Sequence, residues 1–278
     1  MAKKEKKAKK DKKESKKLAK EELFHTKVNR LRRFNLIMSF LHLVQGIFMI
    51  AVSNDTTYPV YTNYLNYDNA FTSGVVPTPE LLFELPFGVA VAVFLLLSAV
   101  AHFALGTFAF NWYRENLRKG MNPARFYEYA LSSSLMIVLI GMLNGVWDLY
   151  ALVMMFGVNA MMNLFGIMME KHNQELKNTD WTAFIYGCIA GVFPWIAVVG
   201  TFLGTLSVND ANPPQFVYFI IPTIFVFFNI FAVNMVLQYK KVGRWKDYLY
   251  GERMYIILSL LAKTALAWQI FAGTLAPV

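Results

Sequence analysis

Seven apolar runs, each long enough to cross a bilayer, decide what this chain can fold into. A spanning helix needs about 20 mostly apolar residues, because in lipid each backbone N–H and C=O must be satisfied within the segment itself. The runs predict helices over about Phe34–Val52, Pro86–Trp112, Pro123–Asn144, Val146–Met169, Trp181–Leu206, Phe216–Tyr239 and Glu252–Leu275. The expected fold is an all-α membrane protein of seven transmembrane helices. Charged residues make up 16% of the chain and hydrophobic ones 56%, against roughly 25% charged in an ordinary soluble domain. The connection Ser53–Leu85 is too long for a plain loop. Its alternating stretch Tyr58–Thr62 and its Ser73-Gly74 turn signal predict a small β-hairpin between the first two helices.

The basic residues orient the bundle. Of 27 Lys and Arg, 15 lie in the first 33 positions. That Lys-rich stretch cannot bury a core, so residues 1–33 read as a disordered or loosely helical tail and residues 34–278 as the membrane domain. The second connection holds Arg114, Arg118, Lys119 and Arg125, the fourth Lys171 and Lys177, the sixth Lys240, Lys241, Arg244, Lys246 and Arg253. The alternate connections hold none. By the positive-inside rule the N-terminus is cytoplasmic, the C-terminus extracellular and the hairpin extracellular, in a multi-pass protein of the cell membrane. A polybasic tail beside a span favours contact with anionic lipid over nucleic acid.

One basic residue remains. Lys263 sits in SLLAKTALAWQIF, about 11 residues from either end of the last helix, roughly 16 Å deep and out of snorkelling range. An ammonium there costs a few kcal/mol on lenient scales, which marks a functional site. Burial of an amine leaves more of the neutral form that condenses with an aldehyde; the structural alternative is an ion pair that fixes helix packing. Either role needs a counter-charge. Glu128 is the carboxylate placed furthest inside a span, although it lies only some five residues into its helix and also reads as an interfacial residue. Ser132 shares its face one turn on, and Ser259 lies one turn before Lys263. His42 and His102 lie on apolar helices with Asn159 and Gln45, as proton-holding groups or as satisfied core residues. Met162, Trp195, Phe228 and Trp268 recur where a flat polyene would lie, or as plain core.

No metal site is expected, since Cys188 is the only cysteine and no third ligand accompanies the histidines. Neither a nucleotide loop nor a hydrolase or transferase motif occurs, so the chain does not read as an enzyme.

From about Asn35 to Pro277 the sequence resembles the heliorhodopsins, retinal proteins distinct from the pumping microbial rhodopsins. The resemblance rests on LHLVQ at Leu41–Gln45, AHF at Ala101–Phe103 and EYALSSSLMIVLI at Glu128–Ile140. It rests further on FGVNA at Phe156–Ala160, GCIAGVFPWI at Gly187–Ile196 and YGERMYIILSLLAKTALAWQIFAGTL at Tyr250–Leu275. The Lys-rich tail takes no part in it. The resemblance implies all-trans retinal bound as a Schiff base to Lys263, with Glu128 as counterion and Ser259 tuning the linkage. His42 and His102 would belong to a polar cavity on the cytoplasmic side. It also implies a homodimer aided by the hairpin, and a slow photocycle without pumping that serves sensing or regulation of a partner. Some viral relatives conduct ions, so a light-gated channel or transporter is the alternative. A single carboxylate on the third helix, and Ser259 where pumps usually carry an acid, argue against an outward proton pump.

Overall fold

The computed structural model describes residues 2–66, 76–209 and 215–276. Helix α1 (Ala2–Val52) leads into a hairpin of β1 (Thr57–Asn66) and β2 (Val76–Pro86). Then follow α2 (Phe87–Gly106), the short α3 (Phe110–Arg118), α4 (Pro123–Leu143), α5 (Leu149–His172), α6 (Thr182–Asn209), α7 (Gln215–Tyr239) and α8 (Tyr248–Ile270). A 3₁₀ turn at Gly243–Lys246 precedes α8 and a π turn at Phe271–Leu275 closes it. Among the described residues seven helices, all but α3, are long and apolar enough to span a membrane.

Three differences from the sequence reading have physical causes. The stretch expected to be disordered or loosely helical before Phe34 is helical from Ala2 and continuous with the first span. It holds no proline or glycine, and Phe24, Val28 and Leu31 pack against Tyr113, Leu117 and Leu249. The second helix stops at Gly106 instead of Trp112, because Arg32 Nε takes the Gly106 carbonyl at 2.8 Å and Thr107 Oγ1 turns back to the Phe103 carbonyl at 2.6 Å. The fourth helix starts three residues late, at Leu149, where Asp148 caps it by accepting from the Ala151 N–H at 2.9 Å.

Elsewhere local chemistry sets the ends. Asn122 caps α4 and Pro123 fills its first position, where a missing N–H costs nothing. Asp247 caps α8. The strands are antiparallel with a bulge at Val60/Tyr61. The Tyr61 N–H donates to the Trp147 carbonyl at 2.9 Å, which ties the hairpin to the α4–α5 turn. The Ser73-Gly74 turn lies outside the described residues. Gly187 and Gly191 let α6 approach Met162 and Phe165 of α5, a contact within one chain. Gly145 takes φ +93 at the end of α4, a left-handed conformation that glycine adopts without strain.

Candidate functional site

Lys263 projects from the middle of α8, and a side chain four residues earlier on a helix shares its face. Ser259 is that residue, and its hydroxyl accepts from Lys263 Nζ at 2.8 Å. The ammonium also donates to Glu128 Oε1 of α4 at 3.0 Å, with the two side chains only 3% and 8% exposed. The pairing places Glu128 inside the bundle and not at its surface. Ser98 of α2 donates to the same carboxylate oxygen at 2.5 Å. Three helices thus meet at one buried, hydrogen-bonded ion pair, the arrangement that makes charge tolerable in a low dielectric. Ser132 is fully buried one turn beyond Glu128.

Toward the basic end of the bundle the polar chain continues. His102, one turn after Ser98, meets Asn35 Oδ1 through Nδ1 at 2.7 Å. The His42 ring stacks on it at 5.7 Å between centroids and 6° between planes. His42 is fully buried, and neither of its nitrogens has a hydrogen-bond partner among the described residues.

The Tyr129 ring lies 5.0 Å from Lys263 Nζ and its hydroxyl donates to the Tyr255 carbonyl at 3.1 Å. Its other side borders a cavity of about 670 Å³ among α4, α5, α6, α7 and α8. Met162, Asn163, Gly191, Trp195 and Phe228 line that cavity. Trp195 meets Phe225 and Phe228 edge to face at 5.1 and 5.7 Å, which fixes the aromatic wall. The volume falls within the 300–1,000 Å³ typical of small-molecule sites.

The structure brings together Lys263, Glu128, Ser259, Ser132, His42 and His102, and places Met162, Trp195 and Phe228 at the cavity. Two expected residues stand apart. Trp268 is 39% exposed and packs on Phe48 and Phe271, because five residues beyond Lys263 is roughly 140° around the helix. Asn159 sits behind the wall, donating to Ser133 and Ser134 at 2.9 and 3.0 Å, while Asn163 one turn on reaches the cavity.

A second buried cluster escaped the sequence reading, which counted Arg125 with the second connection and began the last helix at Glu252. Arg125 donates to Glu170 at 2.5 Å and to Glu252, with all three side chains at most 3% exposed. Asn122 donates from its backbone to Glu170 at 2.7 Å and from its side chain to Glu252 at 2.6 Å. Tyr248 donates to Glu170 at 2.9 Å and Tyr113 to Glu252 at 3.2 Å. Burial, then the charge of Glu252, push the Tyr113 phenol well above its ordinary range. A space of about 20 Å³, room for one water, lies between the clusters and touches His102, Glu128, Arg125 and Glu252. Two signals were available: Glu252, Ser259 and Lys263 fall on one face of α8 at i, i+7 and i+11, and Ser98 precedes His102 by four.

Among known families, residues 31–275 match Heliorhodopsin. No curated protein matches the chain.

Proposed function

The chain belongs to the heliorhodopsin family, and from that premise we propose that it is a light-sensing photoreceptor that carries all-trans retinal on Lys263, cycles slowly and signals to a cytoplasmic partner. Membership makes it a retinal-binding rhodopsin with seven spans. The fit of this chain to the chromophore rests on a buried amine beside an aromatic cavity large enough for a polyene. Retinal supplies light absorption and isomerisation about a double bond; the residues do the rest. Lys263 provides the amine for the linkage, Glu128 the balancing negative charge, and Ser98 and Ser259 hold both in register. His42 and His102 offer nitrogens that can hold a proton transiently. Met162, Trp195 and Phe228 confine the chain of the chromophore. The basic end of the bundle is cytoplasmic and the hairpin extracellular, on the alternation of basic and non-basic connections. The protein works as a homodimer.

One observation carries the non-pumping reading. Among the described span residues, no Asp, Glu, His, Lys or Arg lies on the hairpin side of the Lys263–Glu128 pair. A pump needs an acceptor and a donor with separated proton affinities on opposite sides of the chromophore. Here the other carboxylates deep in the bundle, Glu170 and Glu252, are tied to Arg125 on the same side as the histidines. Illuminated cells or vesicles should therefore show no sustained pH change. A steady, protonophore-sensitive signal would overturn this reading.

The counterion role has its own test. In Glu128→Gln the negative charge that holds the positive charge near the imine nitrogen is gone, so the visible absorbance should move to longer wavelength. A spectrum identical to the parent's would require a different counterion.

A further inference from the structure

The Lys-rich segment is the largest feature the photoreceptor reading leaves unused, and its helical phase is informative. At 100° per residue, Phe24, Leu31, Asn35, Met38 and His42 point into the bundle from one face of α1. Continued toward the N-terminus, that face carries Lys10, Lys13, Lys17 and Lys20, all exposed. The opposite face, which in the span presents Ile37, Phe40, Val44 and Ile47 outward, carries Asp11, Lys12, Ser15, Leu18, Ala19 and Glu22, a mix without net positive charge. The phase is locked where the helix leaves the bundle. Arg118 pairs with Glu21 at 2.7 Å and lies over the Phe24 ring at 5.2 Å, and Lys27 pairs with Asp247 at 2.6 Å.

The lysine row therefore overhangs the basic end of the bundle and turns away from the surrounding bilayer. At the same end of the bundle lie exposed Lys119, Lys240, Lys241, Arg244 and Lys246, with Lys119 next to the Arg118–Glu21 pair and Lys246 next to the Lys27–Asp247 pair. From Arg33 the helix rises roughly 20 Å to Lys20 and roughly 35 Å to Lys10, more than twice the ~8 Å screening length at physiological salt. Headgroups level with Arg33 thus lie more than two screening lengths from each lysine of the row, which favours a partner other than the same membrane. The first 22 residues contain neither arginine nor an aromatic ring, so they lack the guanidinium forks and stacking platforms of nucleic-acid sites.

We infer that the row Lys10, Lys13, Lys17 and Lys20 and the basic floor beneath it form a docking surface for an acidic segment of a protein partner. This rests on the signalling reading above for the existence of a partner, whereas the binding measured below depends on the surface alone; pigment formation separately tests retinal attachment. The measurement is fluorescence anisotropy of a labelled 20-residue poly-L-glutamate against the full chain, reconstituted with retinal in phosphatidylcholine nanodiscs. Lys10→Gln, Lys13→Gln, Lys17→Gln and Lys20→Gln combined should weaken binding at least tenfold. Insertion of two alanines between Lys20 and Glu21 should do the same. It keeps every charge but rotates the row by about 200°, away from the floor. Circular dichroism and the pigment spectrum confirm that each variant is folded. Undiminished binding by the insertion variant would reduce the effect to net charge and overturn the proposal. Tighter binding of a DNA duplex, or of nanodiscs containing phosphatidylserine, would overturn it too.

Discussion

Replacing Lys263 by alanine is expected to abolish the visible pigment while the protein still inserts and folds. Covalent attachment needs an amine at the cavity, and Lys263 is the only buried lysine among the described residues, at 3% exposed. The other lysines lie at the basic end or on the tail, far from Tyr129 and the cavity wall. Removing the ammonium leaves Glu128 buried without its cation, which by itself costs about 3–5 kcal/mol. Lys263→Ala combined with Glu128→Gln removes that penalty and isolates the covalent question. Absorbance after incubation with retinal is the readout. A visible band in the double variant would place the linkage elsewhere.

The second large effect concerns stability. Arg125→Gln should lower stability by about 3–5 kcal/mol, because Glu170 and Glu252 are left buried and facing each other without their shared cation. The thermal midpoint of helix loss, measured in lipid nanodiscs, should fall by several degrees or more. Replacing the cluster whole, with Arg125→Met, Glu170→Gln and Glu252→Gln, should recover much of the loss, since no unpaired charge remains. A single variant as stable as the parent would show that the cluster contributes little to holding α4, α5 and α8 together.

The spans and the Lys263–Glu128 pair were legible because lipid leaves so few options. Backbone satisfaction demands long apolar helices, and a lone charge at mid-membrane stands out. The second charged cluster was hidden by the same logic. Arg125, Glu170 and Glu252 lie within one or two turns of helix ends, where charge counting assigns residues to solvent. For this cluster the signal in the sequence was the face that Glu252 shares with Ser259 and Lys263. The tail misled for a different reason. Its composition forbids a core of its own, yet a helix already nucleated by a span extends at little cost, and Val28 and Leu31 find a core made by other helices. Trp268 shows the limit of residue type as a signal. Aromatic character suits a polyene wall, but the helical angle sends that ring to Phe48 on the outside.

The central claim is that retinal is held covalently by one buried amine, and reductive trapping tests it most directly. Membranes loaded with all-trans retinal are treated with borohydride, which fixes an imine as a stable amine, and the digested protein is read by mass spectrometry. The account predicts a retinyl adduct on the peptide containing Lys263 and on no other. An adduct confined to the tail lysines, or no adduct from a protein that shows its visible band, would contradict it.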